Sequence, residues 1–196
     1  MPHRRILVEL PTDADLLAAI EPTMDEVRGA AQELARAYNE PHNREMIANT
    51  TDFAAGDVVA HFERMRAEGA RSFLLLRDGA LVGDADFRHI EPAHAEFALL
   101  IASRGVQGKG LGTRFALMLH GFGFRALGVA RMYVTIVPQN AASLRLFAKL
   151  GYAEDASELA RSFADDASDV SLSLGRDEFE RAHGAALSGV RFRERA

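Results

Sequence analysis

The chain has 196 residues, 48% of them hydrophobic, with a net charge of −5 and no cysteine. That is the length of one domain, expected to span 1–196, with enough apolar material for a sizeable core. The missing thiols exclude disulfides, thiolate metal sites and a cysteine nucleophile, and the acidic balance argues against non-specific nucleic-acid binding. No run of about 18 apolar residues suits a membrane span. The N-terminus lacks the apolar stretch of a signal peptide, so a reducing, cytoplasmic setting is expected.

Arg4 to Leu10 (RRILVEL) reads as a first strand. TDADLLAAIEPTMDEVRGAAQELARAYNE reads as helix, with Thr12 or Asp13 as N-cap and Pro22 as a break. PHNREMIANTTD is expected to be a polar loop. AAGDVVAHFERMRAEGA predicts a second amphipathic helix, with Val58, Phe62 and Met65 on one face. The period then changes. Two apolar runs flank Asp78-Gly79, a strong hairpin signal. HAEFALLIAS reads as a central strand, and a helix follows with Leu111, Phe115, Met118, Leu119 and Phe122 at helical spacing. ARMYVTIVP is a strand stopped by Pro138. NAASLRLFAKLG is a helix between Asn140 as N-cap and Gly151 as terminator. The acidic stretch Glu154 to Asp169 is expected to be a solvated loop or short helix. DVSLSLGRDEFERAH gives a last strand and a final helical piece, and the basic tail VRFRERA is expected to fray. The order β-α-α-β-β-β-α-β-α-β predicts one α/β domain around a mixed sheet.

The stretch VQGKGLG, Val106 to Gly112, lies between the central strand and its helix. Backbone N–H groups at a helix N-terminus have no partner inside the helix, and the dipole adds to them. Glycines let a ligand reach those groups without meeting a Cβ, which makes a cradle for a phosphate or pyrophosphate. A loop whose glycines serve only turning and packing is the alternative. A Walker A loop does not fit: Gly110 follows Gly108-Lys109, and Ser103 stands where the first glycine is needed. A dinucleotide fingerprint does not fit either. Position 113 is threonine, and the next strand runs into Pro138-Gln139-Asn140 with no acidic residue.

QGKGLG (Gln107 to Gly112) matches the pattern Gln/Arg-x-x-Gly-x-Gly/Ala. NAASLRLFAKLGY (Asn140 to Tyr152) resembles Asn-x-x-Ala/Ser-x-x-x-Tyr/Phe-x-Lys-x-Gly-Phe/Tyr. In this order they resemble the two motifs of the GNAT family of N-acetyltransferases, over about Phe73 to Leu174, and most nearly its RimJ/RimL-type branch. The resemblance implies a GNAT-like acyl-CoA N-acyltransferase fold and acetyl-CoA as donor. N–H groups of Gln107, Gly108, Lys109, Gly110, Leu111, Gly112 and Thr113 would hold the pyrophosphate. Two strands would splay, and Leu100, Ile101 and Ala102 would pair with the pantetheine arm like an added strand. Asn140 and Ser143 fall where the family contacts the CoA arm, although an asparagine there also caps a helix. Phe147 falls on the same helix, as a residue of that site or of the core.

The implied chemistry is direct attack of a deprotonated amine on the thioester. Glu96 matches a position where many members carry a glutamate, acting as base directly or through water. Burial beside an apolar strand would raise its pKa. His94 is a rival base. The family's usual acid, a tyrosine, is replaced by Phe147, so Ser143 would substitute or the thiolate would leave unaided. No metal-ligand spacing occurs, so no metal is expected. In the family the front helices and their loop face the acceptor. Here that loop offers Tyr38, Asn39, Glu40, His42, Asn43 and Arg44. Glu40, Asp84 and Asp86 could attract a cationic amine: a polyamine, an aminoglycoside or a peptide N-terminus. Homodimers are common in the family. The alternatives are a non-catalytic acyl-CoA-binding module, kept open by Phe147, and a nucleotide-binding protein.

Overall fold

The computed structural model describes residues 4–48, 50–102 and 110–195. Nine strands form one sheet in the order β7-β8-β6-β5-β4-β3-β2-β1-β9. They are β1 (Arg5–Pro11), β2 (Leu16–Ile20), β3 (Arg71–Arg77), β4 (Ala80–Arg88), β5 (His94–Ile101), β6 (Arg131–Ile136), β7 (Ala153–Glu154), β8 (Val170–Gly175) and β9 (Arg191–Arg195). The helices are α1 (Met24–Asn39), α2 (Pro41–Met46), α3 (Ala55–Ala67), α4 (Leu111–Phe122), α5 (Ala141–Leu150), α6 (Glu158–Arg161) and α7 (Arg176–His183).

The predicted order is present, with additions. TDADLLAAIEP does not open a helix, which corrects the sequence expectation. Thr12 makes a turn instead, its hydroxyl bonding the Asp15 carboxylate at 2.9 Å. The chain then returns as β2, antiparallel to both β1 and β3. Leu-Leu-Ala-Ala favours helix in isolation, but five residues between a turn and Pro22 are too few to hold one, and two ladders decide the matter. The helix proper starts at Thr23, whose side chain forms a capping box with Glu26. The tail does not fray either: β9 pairs with β1 from Arg5↔Arg195 to Glu9↔Arg191. Arg195 donates to Glu26 at 2.6 Å, and Phe192 packs against the core. The polar loop contains α2, capped by Glu40, whose carboxylate accepts the Asn43 N–H at 3.0 Å.

Other signals hold. Asp78 (φ 51°) and Gly79 (φ 81°) turn the β3–β4 hairpin in the left-handed region that Asp-Gly favours. Gly151 (φ 96°) ends α5. The helix faces named from spacing are buried, including Val58, Phe62 and Met65 on α3 and Leu111, Phe115, Met118, Leu119 and Phe122 on α4.

The two sheet faces carry different cores. α4 and α5 cover one face, packing Phe115, Phe122, Phe147 and Leu150 against Phe73, Phe87 and Phe97. α1 and α3 cover the other, packing Val27, Leu34, Tyr38, Val58 and Phe62 against Leu74 and, at the margin, Leu81 and Leu100. Among the described residues no helix is long and apolar enough to cross a membrane.

Candidate active site

All neighbouring strand pairs are antiparallel except β5–β6, which is parallel. That pair is joined only at His94↔Arg131, Ala95↔Met132 and Glu96↔Tyr133. Beyond it, β5 continues to Ile101 along β4 alone, and β6 continues to Ile136 along β8 alone. The sheet therefore splits in its interior, with three strands on one side and six on the other. Phe97, the first β5 residue past the junction, packs under the split against His120 (ring centroids 4.7 Å apart) and Phe147 (6.3 Å). The β5 edge over 97–101 has no strand on its β6 side among the described residues.

One helix follows each of the two parting strands, α4 after β5 and α5 after β6. Gly110 is the N-cap of α4 at φ 79°, and among the described residues no side chain caps the helix. A Cβ on Gly110 would meet nothing within 4 Å among the described residues. Gly112 differs. A Cβ there would lie 2.9 Å from Leu146 and 3.4 Å from Ile101, so its missing side chain lets α4 pack on α5 and β5. Leu111 is core, and Thr113 is half-buried. Gln107, Gly108 and Lys109 lie outside the described residues. At the head of α5, Asn140 accepts the Ser143 N–H at 3.0 Å and donates to the Met46 carbonyl at 3.2 Å. Phe147 is buried, and it touches Tyr152, whose hydroxyl meets Nε2 of the fully buried His120 at 2.6 Å. Burial lowers the His120 pKa to about 4, so the ring is neutral and accepts the tyrosine proton.

The face under α1 and α3 is acidic beside the split. Asp84, Asp86 and Arg88 alternate along β4 and pair with Leu100, Ala98 and Glu96 of β5, so all six lie on one face. Glu96 is buried, not a surface carboxylate. Its Oε2 lies 3.1 Å from His89 Nδ1, and its Oε1 lies 4.0 Å from Arg88. Burial raises its pKa, and Asp86 adds to that while Arg88 and His89 oppose it. Arg88 also bonds Asp86 at 2.5 Å. Asp84 accepts the Tyr38 hydroxyl at 2.8 Å, and its pKa is raised to about 7, chiefly by burial.

Aromatic rings line the outer side. Phe163, from the acidic segment after α6, stacks on His89 (5.3 Å) and contacts His94 (5.8 Å) and Tyr133 (5.4 Å). Sequence reading missed Phe163 because it stands alone in a polar stretch. The loop expected to face the acceptor is mostly occupied with itself. Asn39 exchanges two 2.8 Å bonds with the Phe53 backbone, Glu40 caps α2, and Arg44 pairs with Asp52 at 2.5 Å. Tyr38 and the buried Asn43 reach the sheet. Asn43 donates to the Ala37 and Ala102 carbonyls, both at 3.0 Å, tying the end of α1 to the end of β5. Among the described residues no cluster of metal-ligating side chains occurs.

Residues 4–153 match the model of the acetyltransferase (GNAT) domain. A spermidine N(1)-acetyltransferase of Escherichia coli K12 is 31% identical over 87 residues, 43% of this chain and 46% of that protein. The match thus spans about half the length of that curated relative. Among solved structures, Mycobacterium smegmatis RimJ in complex with CoA-disulfide superposes with a TM-score of 0.68 at 18% identity, covering 95% of this chain and 96% of that one. An aminoglycoside acetyltransferase in complex with coenzyme A gives 0.69 at 17% identity, covering 91% and 99%. These two likenesses are likenesses of fold.

Proposed function

Because this chain belongs to the GNAT acetyltransferase family, we propose that it moves an acetyl group from acetyl-CoA to a primary amine on a cationic acceptor. The observation that carries this reading is the split inside the sheet, with an open strand edge on one side among the described residues and three carboxylates on the adjoining face. The edge at Leu100, Ile101 and Ala102 suits a pantetheine arm laid alongside it. The uncapped first turn of α4, from Gly110 through Leu111 and Gly112 to Thr113, suits the pyrophosphate. Asn140 and Ser143 stand at the head of α5, on the far side of the split. Backbone N–H groups along the open edge would serve to stabilise the tetrahedral oxyanion.

The acceptor enters from the acidic side. Carboxylates backed by Tyr133, Phe163 and His94 attract an ammonium group through charge and ring faces together. The partial likeness to a spermidine acetyltransferase supports a polyamine, which makes spermidine the first acceptor to try. Phe147 has no proton to give, which favours the second reading, a module that binds acyl-CoA without turnover.

Calorimetric titration with acetyl-CoA tests the donor site, using the wild type and Gly110→Glu. That substitution forces a side chain into a left-handed position and aims a carboxylate at the phosphates. Binding by the wild type that the variant abolishes, with the fold intact by circular dichroism, is the expected result. Absence of wild-type binding overturns the reading. Acetylspermidine formation then separates the enzyme from the non-catalytic module.

A further inference from the structure

The three carboxylates of the acidic face differ in what already satisfies them. Asp86 is paired with Arg88 at 2.5 Å, and Glu96 is held between Arg88 and His89. Asp84 accepts only the Tyr38 hydroxyl among the described residues, on Oδ2. Its Oδ1 is shut off from solvent and has no hydrogen-bond partner among the described residues. A sealed carboxylate oxygen without a donor is costly, so the site favours either a proton or an incoming donor.

Their positions differ too. Glu96 stands opposite Tyr133 on the last closed rung of the β5–β6 pair. Asp84 stands opposite Leu100, further out along the open part of β5. It therefore lies one strand in from the edge assigned above to the acyl donor, and level with its outer half. The groups facing Asp84 are Tyr38 from α1 and Asp86 and Arg88 from its own strand. β3 and β5 set Leu74 and Leu100 beside it.

We propose that Asp84 Oδ1, and not Glu96, receives the acceptor's ammonium group and takes its proton, with Tyr38 holding the carboxyl in place. The assignment rests on the acetyl-transfer reading above. Asp84 removes one proton from R–NH3+ and becomes the carboxylic acid. The freed nitrogen lone pair forms the C–N bond as the C–S bond breaks. The second amine proton leaves with the sulfur as thiol, and Asp84 returns its own proton to water. A carboxyl that titrates near neutrality suits this task, because base strength and ionised fraction are both adequate at working pH. Glu96, Arg88 and His89 then form the floor of the acceptor pocket.

The test follows the pH dependence of kcat/KM for spermidine with acetyl-CoA in the wild type, Asp84→Asn, Glu96→Gln and Tyr38→Phe. The wild type is expected to gain activity through an ionisation near pH 7. Asp84→Asn should lose about 10²-fold or more in kcat/KM, keep its KM for acetyl-CoA and show no such ionisation. Glu96→Gln should keep it. Tyr38→Phe removes a hydrogen bond to the ionised form, so the midpoint should move to higher pH; this keeps the proposal testable if Asp84→Asn folds poorly. Asp84→Asn at the wild-type rate, or the ionisation vanishing in Glu96→Gln instead, overturns the assignment. A readout independent of acetyl transfer is infrared titration of the carboxyl band. Spermidine should deprotonate a carboxyl below pH 7 in the wild type and in Glu96→Gln, and not in Asp84→Asn. Spermidine that leaves this band unchanged overturns the proposal even if acetyl-CoA binds. Failure of acetyl-CoA to bind overturns the donor reading by itself.

Discussion

Asp84 and His120 are displaced in opposite directions by the same cause, burial, which disfavours whichever form is charged. Asp84 has its pKa raised from 3.8 to about 7, so the folded state binds a proton that the unfolded chain has lost. Its contribution is intact below about pH 4 and fades as the pH rises through 7, by an amount on the order of a few kcal/mol. Asp84→Asn should therefore raise Tm at pH 8 by more than at pH 5; equal shifts at both values would contradict the burial account. His120 has its pKa lowered from 6.5 to about 4, so its contribution is present above pH 6.5 and fades as the pH falls through 4. Its Nε2 depends on the Tyr152 hydroxyl. Tyr152→Phe should cost about 1–3 kcal/mol by leaving that buried acceptor unsatisfied, read from urea unfolding at pH 7. The sequence offered Glu40, Asp84 and Asp86 together as carboxylates for a cationic acceptor, and in the structure Glu40 caps α2 while Asp84 and Asp86 share a face of β4. Their differences were not legible, because Tyr38 and Asp84 are 46 positions apart and nothing local shows that they meet.

At the scale of elements, what was legible was local. Asp78-Gly79, Gly151 and the apolar faces of α3 and α4 each follow from chemistry within one turn or one period. What was missed depends on partners far away in sequence. β2 is a strand because β1 and β3 flank it, and β9 is ordered because β1 offers it an edge. Removing residues 190–196 should lower Tm by several degrees, through loss of the β1 ladder, the Phe192 packing and the Arg195–Glu26 pair. It should leave acetyl transfer intact, since β9 lies at the sheet edge remote from the split. The β4–β5 junction is less forgiving. A Cβ on Gly83 would stand 1.9 Å from the Leu100 carbonyl oxygen, where backbone meets backbone and neither can swing away. Gly83→Ala is expected to cost about 3 kcal/mol or more and to lower activity as well, because it pries apart the strands bearing Asp84 and Leu100. Activity retained at full stability would show that the two strands can separate freely.

Across the whole molecule, six strands from β5 to β9 by way of β1 make one half of the sheet, and β6, β8 and β7 make the other. Three residue pairs join the two parts in the plane of the sheet; α4 and α5 clasp them from one side, and Phe163 bridges His94 and Tyr133 on the other. Strands buried in mid-sheet normally guard their amide protons best. Here one interior strand, β5, is the exception. Amides of 97–101 that face the split should trade hydrogen for deuterium faster than those of β3 or β4, although β5 is an interior strand as they are. An acyl donor laid against that edge should slow them selectively, so solvent exchange would map the donor's path without any turnover. On the proposed reading, a seam inside the sheet would be closed by the donor itself.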